Sequence, residues 1–155
     1  MIQQLIEILS GAAPRSPAGR PDRLQLAVAA LLVQAASMDD TFDDAERAAI
    51  EQILARRFAL NAEAVKRLLA AAEAASAQSA QLYAFTRIAA EQFGPEERIG
   101  LIEMLWEVAY ADGMLHPDED ALIRRIAGLI YVSDLDRGAA RKRVLQRLNM
   151  VSQGN

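Results

Sequence analysis

The stretch 36-ASMDDTFDDAERAAI-50 returns, without a gap, as 109-AYADGMLHPDEDALI-123. Sliding the chain by 73 positions, the separation of Asp39 and Asp112, places Ala36 on Ala109, Glu46 on Glu119, Ala48 on Ala121, Ile50 on Ile123 and Ile53 on Ile126. Apolar types agree beyond these identities: Leu32 meets Leu105, Phe42 meets Leu115 and Phe58 meets Tyr131. In each copy an apolar helical run stops, an acidic loop follows, and a second apolar helix begins. The simplest structure with this property is a pair of helix–loop–helix units related by a pseudo-two-fold axis. Two copies are too few for a stacked solenoid, which needs three or more.

The rest of the chain agrees with helices alone. No run alternates apolar and polar residues, and Val, Ile and Thr are not clustered, so strand signals are absent. Local chemistry marks the helix ends. A helix is expected from about Asp22 to Met38, mostly apolar and mostly buried. A second runs from about Asp44 to Phe58, and a third, capped by Asn61, to about Ala75. The polar breaker 76-SAQSAQ-81 precedes a short helix, 82-LYAFTRIAAEQF-93, which Gly94-Pro95 closes. Pro95 opens the next helix, with Glu96 and Glu97 in a first turn where acids favour the helix dipole. Pro117 opens another, to about Ile130, and Ser133 caps the last, which ends near Leu148. The expected fold is therefore all-α: one compact domain of about seven to eight helices. Its repeat covers about 27–60 and 100–133 within a domain at 22–148, and a tail follows at 149–155.

Residues 1–21 read differently. The segment 10-SGAAPRSPAGRP-21 holds three prolines and two glycines and reads as a linker. Before it, Ile2, Leu5, Ile6 and Leu9 follow the i, i+3, i+4, i+7 spacing of one helix face. That face is expected to dock on the domain or on a second copy in a homodimer. It lacks the basic polar face of a membrane-surface helix and the basic start of a signal peptide.

Composition excludes several function classes. At 155 residues, 52% hydrophobic and 25% charged, the chain has the profile of a single globular domain. A net charge of −4 argues against a nucleic-acid-coating protein, which needs a cationic face. With no cysteine there is no disulfide, thiolate nucleophile or cysteine-ligated zinc. The longest apolar run, 26-LAVAALLV-33, falls far short of the ~20 residues that a bilayer needs, so no transmembrane segment is expected. No phosphate loop, Ser-His-Asp set or HExxH pattern occurs.

The acidic loops are the candidate site. The carboxylates of Asp39, Asp43 and Glu46 in the first copy, and of Asp112 and Glu119 beside His116 in the second, offer oxygen donors suited to Ca²⁺ or Mg²⁺. With the imidazole added, Mn²⁺ is also suited. The EF-hand pattern fails, because Asp44 stands where its turn needs Gly and Ile50 where it needs a bidentate Glu. The same acids have structural work without any metal. Asp43 and Glu46 have capping-box spacing, Pro117 and Glu119 suit a first helical turn, and Gly113 suits a left-handed cap. Trp106 reads as core, and the basic residues Arg137 to Arg147 read as a solvated face near a helix C-terminus.

The pattern Ala109, Asp112, Gly113, Leu115, Glu119, Ile123 resembles the signature of the TerB-like proteins, named for bacterial tellurite resistance. The first copy carries it as Ala36, Asp39, Phe42, Glu46 and Ile50, with Asp40 in place of the glycine. The segment 82-LYAFTRIAAEQFGPEERIGLIEMLWEVAYADG-113 resembles a stand-alone bacterial subgroup, and the likeness covers roughly residues 22–145. It implies an all-helical, two-fold-related domain in a bacterial cytoplasmic protein, linked to stress responses, with a metal-chelating or scaffold role. It carries over no catalytic residue. The expected function is a non-enzymatic binding or scaffold module with a protein partner. No cofactor is required, and a divalent cation is the candidate tuner. The alternative is a metal-dependent enzyme that uses both loops as one carboxylate site.

Overall fold

A computed structural model describes residues 22–38, 42–76, 81–111 and 113–148. The amphipathic stretch at 2–9, the linker, the tail, and Asp39 and Asp112 lie outside the described residues. Seven helices occur among those described: α1 (Arg23–Ala36), α2 (Asp44–Phe58), α3 (Ala62–Ser76), α4 (Gln81–Gln92), α5 (Pro95–Ala109), α6 (Pro117–Leu129) and α7 (Asp134–Arg147).

Each start has the chemistry its sequence announces. Asp22 Oδ1 accepts the Gln25 N–H at 2.8 Å, and Asn61 Oδ1 accepts the Ala64 N–H at 2.8 Å. Ser133 Oγ accepts the Asp136 N–H at 3.1 Å, and Pro95 and Pro117 stand in first turns where no N–H is needed. Gly113 takes φ +86° between α5 and α6, the left-handed backbone expected there.

Packing follows the duplication. Helices α1 and α5 lie against each other at the centre. α1 carries α2 and α3, and α5 carries α6 and α7 in the same relation. The cross-contacts match too, with α2 touching α5 and α6 touching α1. Leu32 and its counterpart Leu105 are both fully buried, as are Ile50 and Ile123. Each such side chain contributes roughly 1.5–3 kcal/mol by leaving water. Trp106 is core as expected, 1% exposed, and its indole N–H donates to the Arg137 carbonyl at 3.2 Å.

One helix breaks the symmetry. α4 has no counterpart among the described residues, and it packs on α1, with further contacts to α6 and α3. With it, five of the described helices pack on α1, along which Ala27 to Val33 are buried without interruption. The sequence pairing of Phe58 with Tyr131 as core residues is corrected here. Phe58 packs against the core, but Tyr131 takes φ 66° just beyond α6 and is 78% exposed. The left-handed turn swings its ring outward, where Arg98 lies over it at 5.8 Å.

Candidate acidic loops and the cleft beside them

The first acidic loop delivers the chain into α2 through Asp43, whose backbone is extended. Asp43 Oδ1 accepts the Glu46 N–H at 2.8 Å, and Glu46 Oε1 accepts the Asp43 N–H at 3.2 Å. This reciprocal box satisfies two of the donors a helix start would otherwise leave unpaired. The second loop enters α6 through His116, whose N–H donates to Glu119 Oε1 at 3.2 Å. Glu46 and Glu119, 73 positions apart, are buried to 2% and 1% exposure. A carboxylate withdrawn from water this far is costly unless its oxygens are engaged. The two halves therefore bury the same acidic group at the same point of the same unit.

The surroundings of the two starts differ. Arg47 lies 4.6 Å over the Phe42 ring and pairs with Glu73 of α3 at 2.6 Å. The hydrogen bond to Glu73 holds the Arg47 guanidinium pKa above its ordinary value. The counterpart of Arg47 is Asp120, which meets Arg124 of its own helix at 3.5 Å. Leu115, the counterpart of Phe42, packs half-buried on the core.

Of the six candidate ligands, the structure places Asp43 with Glu46 and His116 with Glu119, each pair at one helix start. Among the described residues, no three acidic, histidine or cysteine side chains form a group that could hold a metal ion. The donor set nevertheless suits a hard cation: carboxylates at both loops, with an imidazole at the second.

A second feature was not anticipated from the sequence. A cleft of 590 Å³ opens between α2, α5 and α7, with Arg56, Gly100, Glu103, Met104, Glu107 and Arg147 among its walls. Glu103 pairs with Arg143 at 2.9 Å and Arg147 at 2.8 Å, and Glu107 with Arg147 at 2.8 Å and Arg56 at 3.2 Å. The hydrogen bond to Glu103 does most to raise the Arg147 pKa, and Glu107 adds to it. Arg141 donates to the Tyr110 hydroxyl at 2.7 Å. The basic face of α7 is thus cross-linked to α5 rather than simply solvated. The available signal was Glu103 and Glu107, four apart on a helix whose counterpart carries Ala30 and Gln34.

The duplicated loops, the matched buried glutamates and the central α1–α5 pair are the setting for the comparison with known families. The family model described as tellurite resistance protein TerB matches residues 25–142. This chain belongs to the TerB family. The match runs through both halves, from α1 into α7, so the TerB unit is the whole duplicated domain rather than one copy of the repeat. The searches of curated proteins and of solved structures returned no match. Membership makes the chain a tellurite-resistance-like helical module. Among the described residues, no helix is long and apolar enough to cross a membrane.

Proposed function

We propose that this TerB-family protein is a non-enzymatic binding module, and that a divalent cation at its acidic loops tunes how it meets a protein partner. The observation that carries the reading is the matched burial of Glu46 and Glu119, at 2% and 1% exposure. Both stand at the third position of the helix that follows the acidic loop of their copy, in which Asp39 and Asp112 occupy equivalent sequence positions. A cation held there would bind the folded chain only, and would fix the loop that precedes the helix. The loop would then present one shape to a partner with cation and another without it. The enzyme alternative has less support. The described candidate carboxylates, Asp43, Glu46 and Glu119, each spend an oxygen on a helix start.

Calorimetric titration of Ca²⁺, Mg²⁺ and Mn²⁺ into chelator-treated protein tests this reading. Saturable binding of one ion is expected, abolished by Asp39→Asn together with Asp112→Asn. Heats no larger than dilution for all three ions would remove the cation from the proposal.

A further inference from the structure

Helix α4 shows what one side of the duplicated frame is shaped to receive. It packs on α1, with contacts to α6 and α3, and buries Leu82, Phe85, Ala89 and the adjoining Phe93. On α1, Ala27, Ala30 and Leu31 are fully buried. Shifted by 73, these three positions become Gly100, Glu103 and Met104, which line the cleft. The supporting helices exchange in the same way, α2 and α7 taking the places of α6 and α3. The cleft is the pseudo-symmetric counterpart of the seat of α4.

The chain also has a segment in the counterpart position of α4. α4 immediately precedes α5, and residues 1–21 immediately precede α1. We propose that the stretch 2–9 docks in this cleft, with Ile2, Leu5, Ile6 and Leu9 laid on Gly100, Met104 and the aliphatic stems of Arg57 and Arg147.

Reach, space and charge support the assignment. The linker at 10–21, at about 3.3–3.6 Å per extended residue, spans roughly 40 Å. Helix α5, with 15 residues, is about 22 Å long at 1.5 Å per residue, about half of that reach. Nothing lies within 4 Å of a Cβ built on Gly100, so the floor of the cleft is open. Glu103 and Glu107 are already neutralised by Arg56, Arg143 and Arg147. They therefore do not repel a stretch whose only acid is Glu7. Because α1 has Ala30 where α5 has Glu103, this second seat is more polar than the first. Docking there is weaker than that of α4 and reversible.

The absence of cysteine makes a direct test available. A disulfide needs Cα atoms within about 7 Å. In the full-length chain, Ile6→Cys is combined with Gly100→Cys, and as a control with Arg124→Cys on the exposed face of α6. Under mild oxidation of dilute protein, the first pair is expected to close within one molecule about tenfold faster than the control, through its higher effective concentration. Equal rates for the two pairs would overturn the proposal. So would disulfides formed only between molecules, which would assign the stretch to a second copy. Leu5→Asp with Leu9→Asp supplies a measurement that does not depend on cross-linking. It is expected to speed amide exchange in the α5 segment 100–107, and unchanged exchange there would count against docking.

Discussion

The two halves of the molecule share a frame and differ in what they allow on their outer faces. Around α1, which α4 covers together with the other neighbouring helices, Ala27, Ala30 and Leu31 are fully buried. Around α5, the same positions hold Gly100, Glu103 and Met104, and arginines from α2 and α7 converge on the carboxylates. A duplicated frame thus tolerates a large change at one strip while the central pair and the acidic helix starts keep their form. Interior positions are constrained by close packing, whereas a strip at the edge is constrained only by what covers it.

Exchanging the two strips residue for residue breaks this comparison most sharply. Ala30→Glu would place a carboxylate at a fully buried position of α1, and is expected to cost more than about 4 kcal/mol, the range of exceptional substitutions. The reverse change, Glu103→Ala, removes half-exposed arginine pairings and is expected to cost about 1 kcal/mol or less, falling further in high salt. Urea unfolding of both variants at low and high salt measures the contrast. Similar losses would mean that the two strips are not distinct environments.

The next contrast lies at the centre. Trp106→Ala is expected to cost about 3–5 kcal/mol, because it empties a buried volume and removes the donor to the Arg137 carbonyl. Its counterpart Val33→Ala removes only two methyl groups, at about 0.8 kcal/mol each. Thermal melting orders the two, at about 2–4 °C per kcal/mol for a domain near this size. A larger loss at Val33 would contradict the placement of Trp106 as the link between α5 and α7.

Much of the fold was legible because the chain writes its helix ends in local chemistry. Asp22, Asp43, Asn61, Pro95, Pro117 and Ser133 mark starts within a residue or two of the observed ones. The duplication was legible because Asp39, Glu46 and Ile50 recur at one spacing. What stayed hidden depends on contacts between distant segments. The Glu103–Arg143 pair exists only because α5 packs on α7, and nothing within either helix announces it. Tyr131 resembled a core residue by alignment with Phe58, yet a single left-handed backbone angle turned it to solvent. In the candidate site, the capping roles of Asp43 and Glu46 were readable from their spacing. The depth to which Glu46 and Glu119 are buried was not, because burial is set by how distant helices pack around them.

A smaller effect sharpens the comparison at the loops. Gly113→Ala forces a side chain into φ +86° and is expected to cost about 1–2 kcal/mol. Since nothing lies within 4 Å of the added Cβ, the loss comes from backbone strain alone. Melting of this variant beside Asp40→Gly compares the second loop with the first at equivalent positions. If Gly113→Ala melts like the parent protein, the left-handed turn contributes nothing to stability.

The claim that the two acidic helix starts are one device used twice is tested most directly by a single melting series. The parent protein, Glu46→Ala and Glu119→Ala are melted with chelator and then with each divalent ion. In chelator, each variant is expected to lose on the order of 1 kcal/mol through its helix start. At about 100 times Kd, a cation bound only to the folded parent adds roughly 2.7 kcal/mol, a rise of several degrees. Each variant is expected to show a reduced rise. A flat response of the parent to every ion, or a response that one variant abolishes while the other leaves it intact, would contradict the claim.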